Sequence, residues 1–212
     1  MSNYGIFKNK KGKTLVYYPC PKNANSSAKL FFAQHLDLAN NFIFVSDEVP
    51  RYKQEKKHFG NKQNLVNFLP TKQPFKKIDA DIRCCILRDP IDRFVSSYKN
   101  RILYHHDQEF SEHTVDMVIE KLEINNFENK HFLPQSFFLG KSLSYYDFYV
   151  DIKNISKFES YINTFFEKKI GFPKIQTGGK NYKILLNKDQ IKKIKKIYFE
   201  DFDLLKQVKN SN

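Results

Sequence analysis

Nowhere does the 212-residue chain run apolar for the roughly 18 residues that a membrane-spanning helix needs. Residues 1–13 are polar and basic with no apolar stretch behind them, so no secretory leader is recognisable. Cysteine is scarce: Cys20, Cys84 and Cys85 form no CxxC pair and no Cys/His cluster of zinc spacing. An odd count with a vicinal pair makes no disulfide framework and suits a reducing compartment. Metal binding is therefore not expected. Internal repeats and long low-complexity segments are also absent, which leaves a single domain over residues 1–212. Together these absences describe a soluble, cytoplasmic chain.

What the chain has in quantity is positive charge and aromatic carbon. Lys and Arg number 36 against 23 Asp and Glu, a formal net charge of +13. Such a balance expects an anionic partner: a nucleotide, a nucleic acid, a sulfated or carboxylated sugar, or a membrane surface. It does not choose among them, and lysine serving only to keep the chain in solution is the bland alternative. The 21 Phe and 12 Tyr supply enough apolar bulk to argue against disorder, and the length is ample for a core.

Strand and helix signals alternate along the chain. Residues 14–18 (TLVYY) form a β-rich run that ends at Pro19-Cys20-Pro21, where the prolines bar helix and strand alike. Residues 24–38 follow as a helix, with Ala28, Phe31, Phe32, His35 and Leu36 at helical spacing. A second short strand is expected at 42–45 (FIFV), then a polar, Lys-rich connection over 47–74. Residues 81–87 (DIRCCIL) read as a strand buried on both faces, with Cys84 and Cys85 as small hydrophobes. It stops at Arg88-Asp89-Pro90, where Asp89 can cap a helix and Pro90 suits its first position. That helix runs through Ile91, Phe94, Val95, Tyr98 and Ile102. Further helices are expected at 112–122, 156–169 and 188–208, and a strand near 148–152. The pattern predicts an α/β, P-loop-like three-layer fold: a mostly parallel central sheet flanked by helices and joined by right-handed crossovers.

Two strand–loop–helix units carry anion-binding chemistry. The first loop reads Pro21-Lys22-Asn23-Ala24-Asn25-Ser26-Ser27 and opens a helix, whose unpaired N–H groups and partial positive charge suit a phosphate or sulfate. Lys22 adds a point charge and the serines add hydroxyls. The Gly-rich Walker pattern GxxxxGK is absent. In the second unit, Arg88 stands at the carboxyl end of a buried strand, where ligands of open α/β sheets collect, and its planar fork suits a bidentate phosphate contact. Ser96, two turns along, offers another hydrogen bond, while Asp89 and Asp92 read as cap and helix-start charge. The plain alternatives are an ordinary capped helix for the first unit and Arg88 and Arg93 paired with those aspartates for the second.

A PK…SS loop after one strand and LRDPIDRFVSSY after a later one resemble the PAPS-dependent sulfotransferases, and most closely their carbohydrate (type 2) branch. Further similarities follow in order: His131-Phe132-Leu133-Pro134-Gln135 to the family's H-W-x-P-Q segment, YVDIKNISKFE over 149–159 to its strand leading into a helix, and IYFEDFDLL over 197–205 to its closing helix. The filling Asn23-Ala24-Asn25 is not the family's commonest, and no membrane anchor is visible, which implies a bacterial, cytoplasmic member. The resemblance implies that Lys22, Asn25, Ser26 and Ser27 grip the 5′-phosphosulfate of 3′-phosphoadenylyl sulfate (PAPS), while Arg88 and Ser96 grip its 3′-phosphate.

The implied reaction moves a sulfuryl group from PAPS to a hydroxyl of a carbohydrate or glycoconjugate acceptor, in line and without a metal. Lys22 is the expected stabiliser of charge on the leaving oxygen, which makes it catalytic as well as donor-binding. A general base must take the acceptor's proton. His58, in the 47–74 connection, is the candidate that the resemblance favours, with Asp47, Glu48 and Glu55 as competitors. Lys180, in the loop Thr177-Gly178-Gly179-Lys180, is a further candidate for the 3′-phosphate, or part of a plain surface turn. The lysines 192, 193, 195 and 196 describe an amphipathic helix first and a polysaccharide-binding face second. Two other functions stay open: a P-loop-like nucleotide or sugar kinase, and a non-catalytic polyanion-binding protein. Peripheral membrane contact is compatible with the charge, no nucleic acid is expected, and the acceptor and oligomeric state are not legible.

Overall fold

The computed structural model describes residues 2–37, 67–71, 75–108, 112–125, 129–175 and 181–210. The strand expected at 42–45 and most of the 47–74 connection lie outside these residues.

Five strands form one sheet: β1 (Ser2–Lys8), β2 (Thr14–Tyr18), β3 (Asn67–Thr71), β4 (Ile82–Leu87) and β5 (Phe148–Asp151), in the order β3-β1-β2-β4-β5. β2 pairs with β4 and β4 with β5 in parallel, whereas β1 runs antiparallel to both β2 and β3. Four strands thus point one way and β1 alone opposes them, which is the mostly parallel sheet that the alternation predicts.

Two strands went unread in the sequence. β1 makes a hairpin with β2 through a turn in which Asn9 accepts the amides of Lys11 and Lys13, each at 3.0 Å, and Gly12 takes φ +81°. β3 lies inside what reads as connection, because its NFLPT composition includes a proline. Pro70 is tolerated there since β3 is an edge strand.

Alternate residues of the central strands face opposite layers. Leu15, Tyr17, Cys84, Ile86 and Val150 pack against helices α1 (Asn25–His35) and α5 (Ile155–Phe166). Val16, Tyr18, Cys85 and Leu87 pack against the short α4 (Gln135–Leu139) and the last helix α7 (Phe199–Asn210). Both faces are covered, which is why residues 15–18 of β2 and 84–87 of β4 read as unbroken apolar runs. A third apolar cluster joins α2 (Pro90–Tyr98), α3 (Val115–Glu123) and α6 (Lys188–Ile197) through Phe94, Ile119, Leu122 and Ile194.

The vicinal Cys84 and Cys85 therefore point into different layers, and all three cysteines are fully buried. Burial pushes the Cys20 thiol up to about 12, and pushes Cys84 and Cys85 well above the ordinary thiol value. A thiolate is what reacts. We therefore expect no labelling of the native protein by dithionitrobenzoate at neutral pH and labelling of all three thiols after denaturation. A thiol that reacts fast in the native state would overturn this placement.

Helix boundaries differ from expectation where tertiary contacts intervene. The continuous helix expected at 188–208 is two helices: Tyr198 leaves the helical region at φ −104° and ψ 31°, and its buried hydroxyl donates to the Phe132 carbonyl at 2.6 Å. After Tyr98 the backbone of α2 widens into a π-helical segment, Lys99–Tyr104. α1 starts at Asn25 because Ala24 is left-handed, with φ +55°.

Candidate functional site

β2 and β4 are parallel neighbours, with Tyr18 beside Cys85 in register, so the loops leaving their carboxyl ends emerge side by side. Arg88 closes the distance between them: its Nη1 donates to the carbonyl of Lys22 at 2.9 Å. The two anion-binding units of the sequence are thus one place in the fold.

The first loop is bent into a strained shape and held there. Lys22 has φ +70° and Ala24 φ +55°, left-handed values that cost a non-glycine residue on the order of 1–2 kcal/mol each. Between them Asn23 is fully buried, and its Nδ2 donates to the carbonyl of Ile86 at 2.8 Å and to Oε1 of Gln135 at 2.6 Å. Nε of Arg93 donates to the carbonyl of Pro21 at 3.0 Å. Anchors on both sides of Lys22 therefore hold it in its unusual backbone.

Gln135 fixes the second loop as well. Its Oε1 accepts the Arg88 amide at 3.0 Å and its Nε2 donates to the Arg88 carbonyl at 2.8 Å. The start of α4 is in turn capped from α7: the carboxylate of the fully buried Asp201 accepts the amides of Gln135 and Ser136, both at 2.8 Å. Burial pushes the Asp201 carboxyl up, while the Arg93 charge and those two amides act the other way. Arg93 is itself buried, and its Nη2 donates to the carbonyls of Leu133 at 2.7 Å and His131 at 3.3 Å. Ser97 adds a hydroxyl bond to the same His131 carbonyl at 2.7 Å. These are internal bonds, so Arg93 is framework.

Arg88 is different. Burial pushes its guanidinium below its ordinary value, the nearby Asp92 opposing, and it forms no ion pair among the described residues. The aspartates of the motif are engaged elsewhere. Asp89 caps α2 by accepting the amides of Ile91 at 2.9 Å and Asp92 at 3.2 Å, as its place before Pro90 predicts. Asp92 lies 3.7 Å from the ammonium of Lys153. The plain alternative of an Arg88–aspartate pair is not what forms.

Of the remaining candidates, those within the described residues lie on α1 and α2. Among the described residues no side chain caps the N-terminus of α1, and no acidic residue occupies its first turn, which holds Asn25, Ser26 and Ser27. Oδ1 of Asn25 is buried without a hydrogen-bond partner among the described residues. Oγ of Ser27 accepts the amide of Ile175 at 3.3 Å, so that hydroxyl is partly committed to the fold. Ser96 is half-buried on the second turn of α2, with no hydrogen bond from its hydroxyl among the described residues. His35 is structural: Nδ1 meets the Phe31 carbonyl and Nε2 meets Oδ1 of Asn163, each at 2.8 Å. His58, Asp47, Glu48, Glu55 and Lys180 lie outside the described residues. Among those described, no group of three His, Cys, Asp or Glu side chains could hold a metal ion, and no helix is long and apolar enough to cross a membrane.

Sequence reasoning missed Asn23, Arg93, Gln135 and Asp201 as the frame. Gln135 was visible in HFLPQ and Arg93 in the second motif, but nothing local marks Asp201. The model of the sulfotransferase family matches residues 7–206. That span takes in both loops, Gln135 and Asp201. No curated protein matches the chain.

Proposed function

The chain belongs to the sulfotransferase family, in its carbohydrate branch, and on that premise we propose that it transfers a sulfuryl group from PAPS to a hydroxyl of a carbohydrate or glycoconjugate. The observation that carries the reading is the junction of the two loops, with the Arg88 guanidinium on the Lys22 carbonyl. One end of a donor with two anionic groups meets the uncapped start of α1, and the other meets Arg88.

The residues fit such a donor in three ways. An uncapped helix start without acidic side chains offers amides and positive potential to the 5′-phosphosulfate. The orphan Oδ1 of Asn25 belongs to an amide whose half-turn presents Nδ2 instead, converting a buried unpaired acceptor into a donor toward an anion. Arg88, with no carboxylate partner among the described residues, keeps donors for a bidentate contact with the 3′-phosphate, and Ser96 adds a hydroxyl. Ser26 and Ser27 complete the 5′ side.

In this reading the acceptor oxygen attacks sulfur in line with the bridging oxygen. A bond from the acceptor oxygen to sulfur forms, the bond from sulfur to the bridging oxygen breaks, and 3′-phosphoadenosine 5′-phosphate (PAP) departs. Lys22 neutralises the negative charge that grows on the bridging oxygen, and the anchors on either side of it hold the loop backbone in place. The acceptor's proton goes to a base in the segment after α1, His58 first and Asp47, Glu48 or Glu55 otherwise. Lys180 is a second cation for the 3′-phosphate. Three reduced, buried thiols suit a cytoplasmic setting.

Calorimetric titration of PAP without magnesium, beside ADP, tests this reading. Micromolar binding of PAP with ADP far weaker is the expected result, because only PAP carries the 3′-phosphate. Absence of binding, or equal binding of both, would return the two loops to plain helix starts.

A further inference from the structure

The side-chain amide of Gln135 pairs with Arg88 as the backbone of a neighbouring strand would. Its Oε1 accepts the Arg88 amide at 3.0 Å while its Nε2 donates to the carbonyl of the same residue at 2.8 Å. β4 ends at Leu87, so this side chain carries the exchange of two backbone bonds one residue past the sheet. The same Oε1 also accepts Nδ2 of Asn23 at 2.6 Å. Both lone pairs of that oxygen are then in use, one for each loop.

Neither amide can be turned over. Reversed, Gln135 would set oxygen against the Arg88 carbonyl and nitrogen against the Arg88 N–H. Reversed, Asn23 would set oxygen against the Ile86 carbonyl and against Oε1 of Gln135. Asn23 keeps its orientation even though its Oδ1 is left buried with no partner among the described residues, an unfavourable state for an acceptor. The bond between the loops persists in spite of it.

Gln135 is also fixed from behind. Asp201 holds its amide, and Nη2 of Arg93 holds the carbonyl of Leu133 two residues earlier, at 2.7 Å. A fully buried side chain on so fixed a backbone does not follow a moving loop. The loops are held to it.

We propose that Gln135 is a positioning residue that makes the two ends of the donor site a single unit, holding the Lys22 loop through the side-chain amide of Asn23 and the Arg88 loop through its backbone. This rests on the sulfotransferase reading and adds to it the residue that sets the spacing between the two anionic groups the site accepts. Gln135 acts on the donor only through the loops, and its loss is felt at both ends.

The test titrates two ligands into the full chain and its variants, at a temperature where thermal unfolding shows each protein folded. PAP reads both ends, and adenosine 5′-phosphosulfate (APS), which lacks the 3′-phosphate, reads the first loop alone. Gln135→Ala should weaken PAP about thirtyfold and APS about fivefold. Arg88→Ala, which serves one end, should weaken PAP and leave APS within about twofold.

Gln135→Glu supplies the conservative rescue. A protonated carboxyl reproduces both halves of the amide, its O–H donating to the Arg88 carbonyl and its C=O accepting, whereas an ionised one cannot donate. The charged groups around the position are Asp201 from α7, Arg88, then Asp89, Asp92 and Arg93 at α2, and Lys22 on the first loop, all shared with the parent. Relative to the parent at the same pH, this variant should bind PAP about tenfold more weakly at pH 8 and within about threefold at pH 6.

Failure of the parent protein to bind PAP brings down the sulfotransferase reading itself. With PAP bound by the parent, three results overturn the proposal alone: unchanged PAP affinity in folded Gln135→Ala, the same APS affinity in the parent and that variant, or a Gln135→Glu deficit that is flat with pH. Should Gln135→Ala not fold, the pH response of Gln135→Glu decides.

Discussion

Replacing Arg88 by alanine is expected to weaken PAP binding by about 2–4 kcal/mol, on the order of a hundredfold or more, with little change in thermal stability. The reason lies in what the side chain does before any ligand arrives. It gives one hydrogen bond, to the Lys22 carbonyl, pairs with no carboxylate among the described residues, and is held in place by Gln135 through its backbone rather than through its guanidinium. Its remaining donors are the ones a bidentate phosphate contact uses. Arg88→Lys should recover only part of the loss, because an ammonium restores the charge without the fork.

Arg93, five residues on, should behave in the opposite way. Its guanidinium is committed to the carbonyls of Pro21, His131 and Leu133 and lies near the buried Asp201. Arg93→Ala would strand those carbonyls and leave Asp201 without its cation, a loss of about 3–5 kcal/mol of stability. Calorimetric titration of PAP and thermal unfolding of both variants separate the two roles. An unchanged PAP dissociation constant in Arg88→Ala would remove Arg88 from the site, and a fully stable Arg93→Ala would remove Arg93 from the frame.

The contrast shows where the sequence stops being legible. Both arginines sit in one motif, RDPIDR, at positions that a helix wheel alone cannot rank. Asp89 and Pro90 announce the start of α2 by local chemistry, and structure and expectation agree there. The three strands that position the site were legible for a related reason: β2 and β4 are covered on both faces and so carry apolar runs over residues 15–18 and 84–87, and β5 is short but flanked by turns. β1 was not, since SNYGIFK has too little apolar character to announce a strand whose pairing with β2 and β3 supplies its order. The break at Tyr198 was hidden as well. Ile191, Ile194 and Ile197 keep helical spacing up to it, and its partner, the Phe132 carbonyl, is 66 residues away in sequence.

Asp201 shows the same limit at the site itself. Read locally, an acid in the first turn of α7 suits the helix dipole and nothing more. Only the fold reveals that it caps a different helix, α4, and through Gln135 holds the side-chain amide of Asn23 and the backbone of Arg88. The residues proposed to touch the donor were legible because charged or hydroxyl side chains at the ends of strands and starts of helices have few other uses. The residues that aim them were not, because their bonds are long-range.

Alanine at Lys22 should separate aiming from chemistry. The backbone there is left-handed at φ +70°, and alanine keeps the same strain that lysine has, so the substitution changes the side chain without relaxing the loop. The anchors on either side, Asn23 in its buried pair of bonds and Arg93 on Pro21, are untouched. Stability should therefore be close to that of the parent. The proposed PAP contacts at Arg88, Ser96 and the start of α1 remain, and the dissociation constant should rise less than about tenfold. Turnover should fall by about a hundredfold to a thousandfold, because the charge that Lys22 is proposed to neutralise is greatest on the bridging oxygen in the transition state, and no other described residue supplies a cation on that loop. Steady-state rates with saturating PAPS, set against calorimetric PAP affinities for the same protein, read the two effects apart. Equal losses in both would reduce Lys22 to a binding residue, and unimpaired turnover would exclude it from the transfer step.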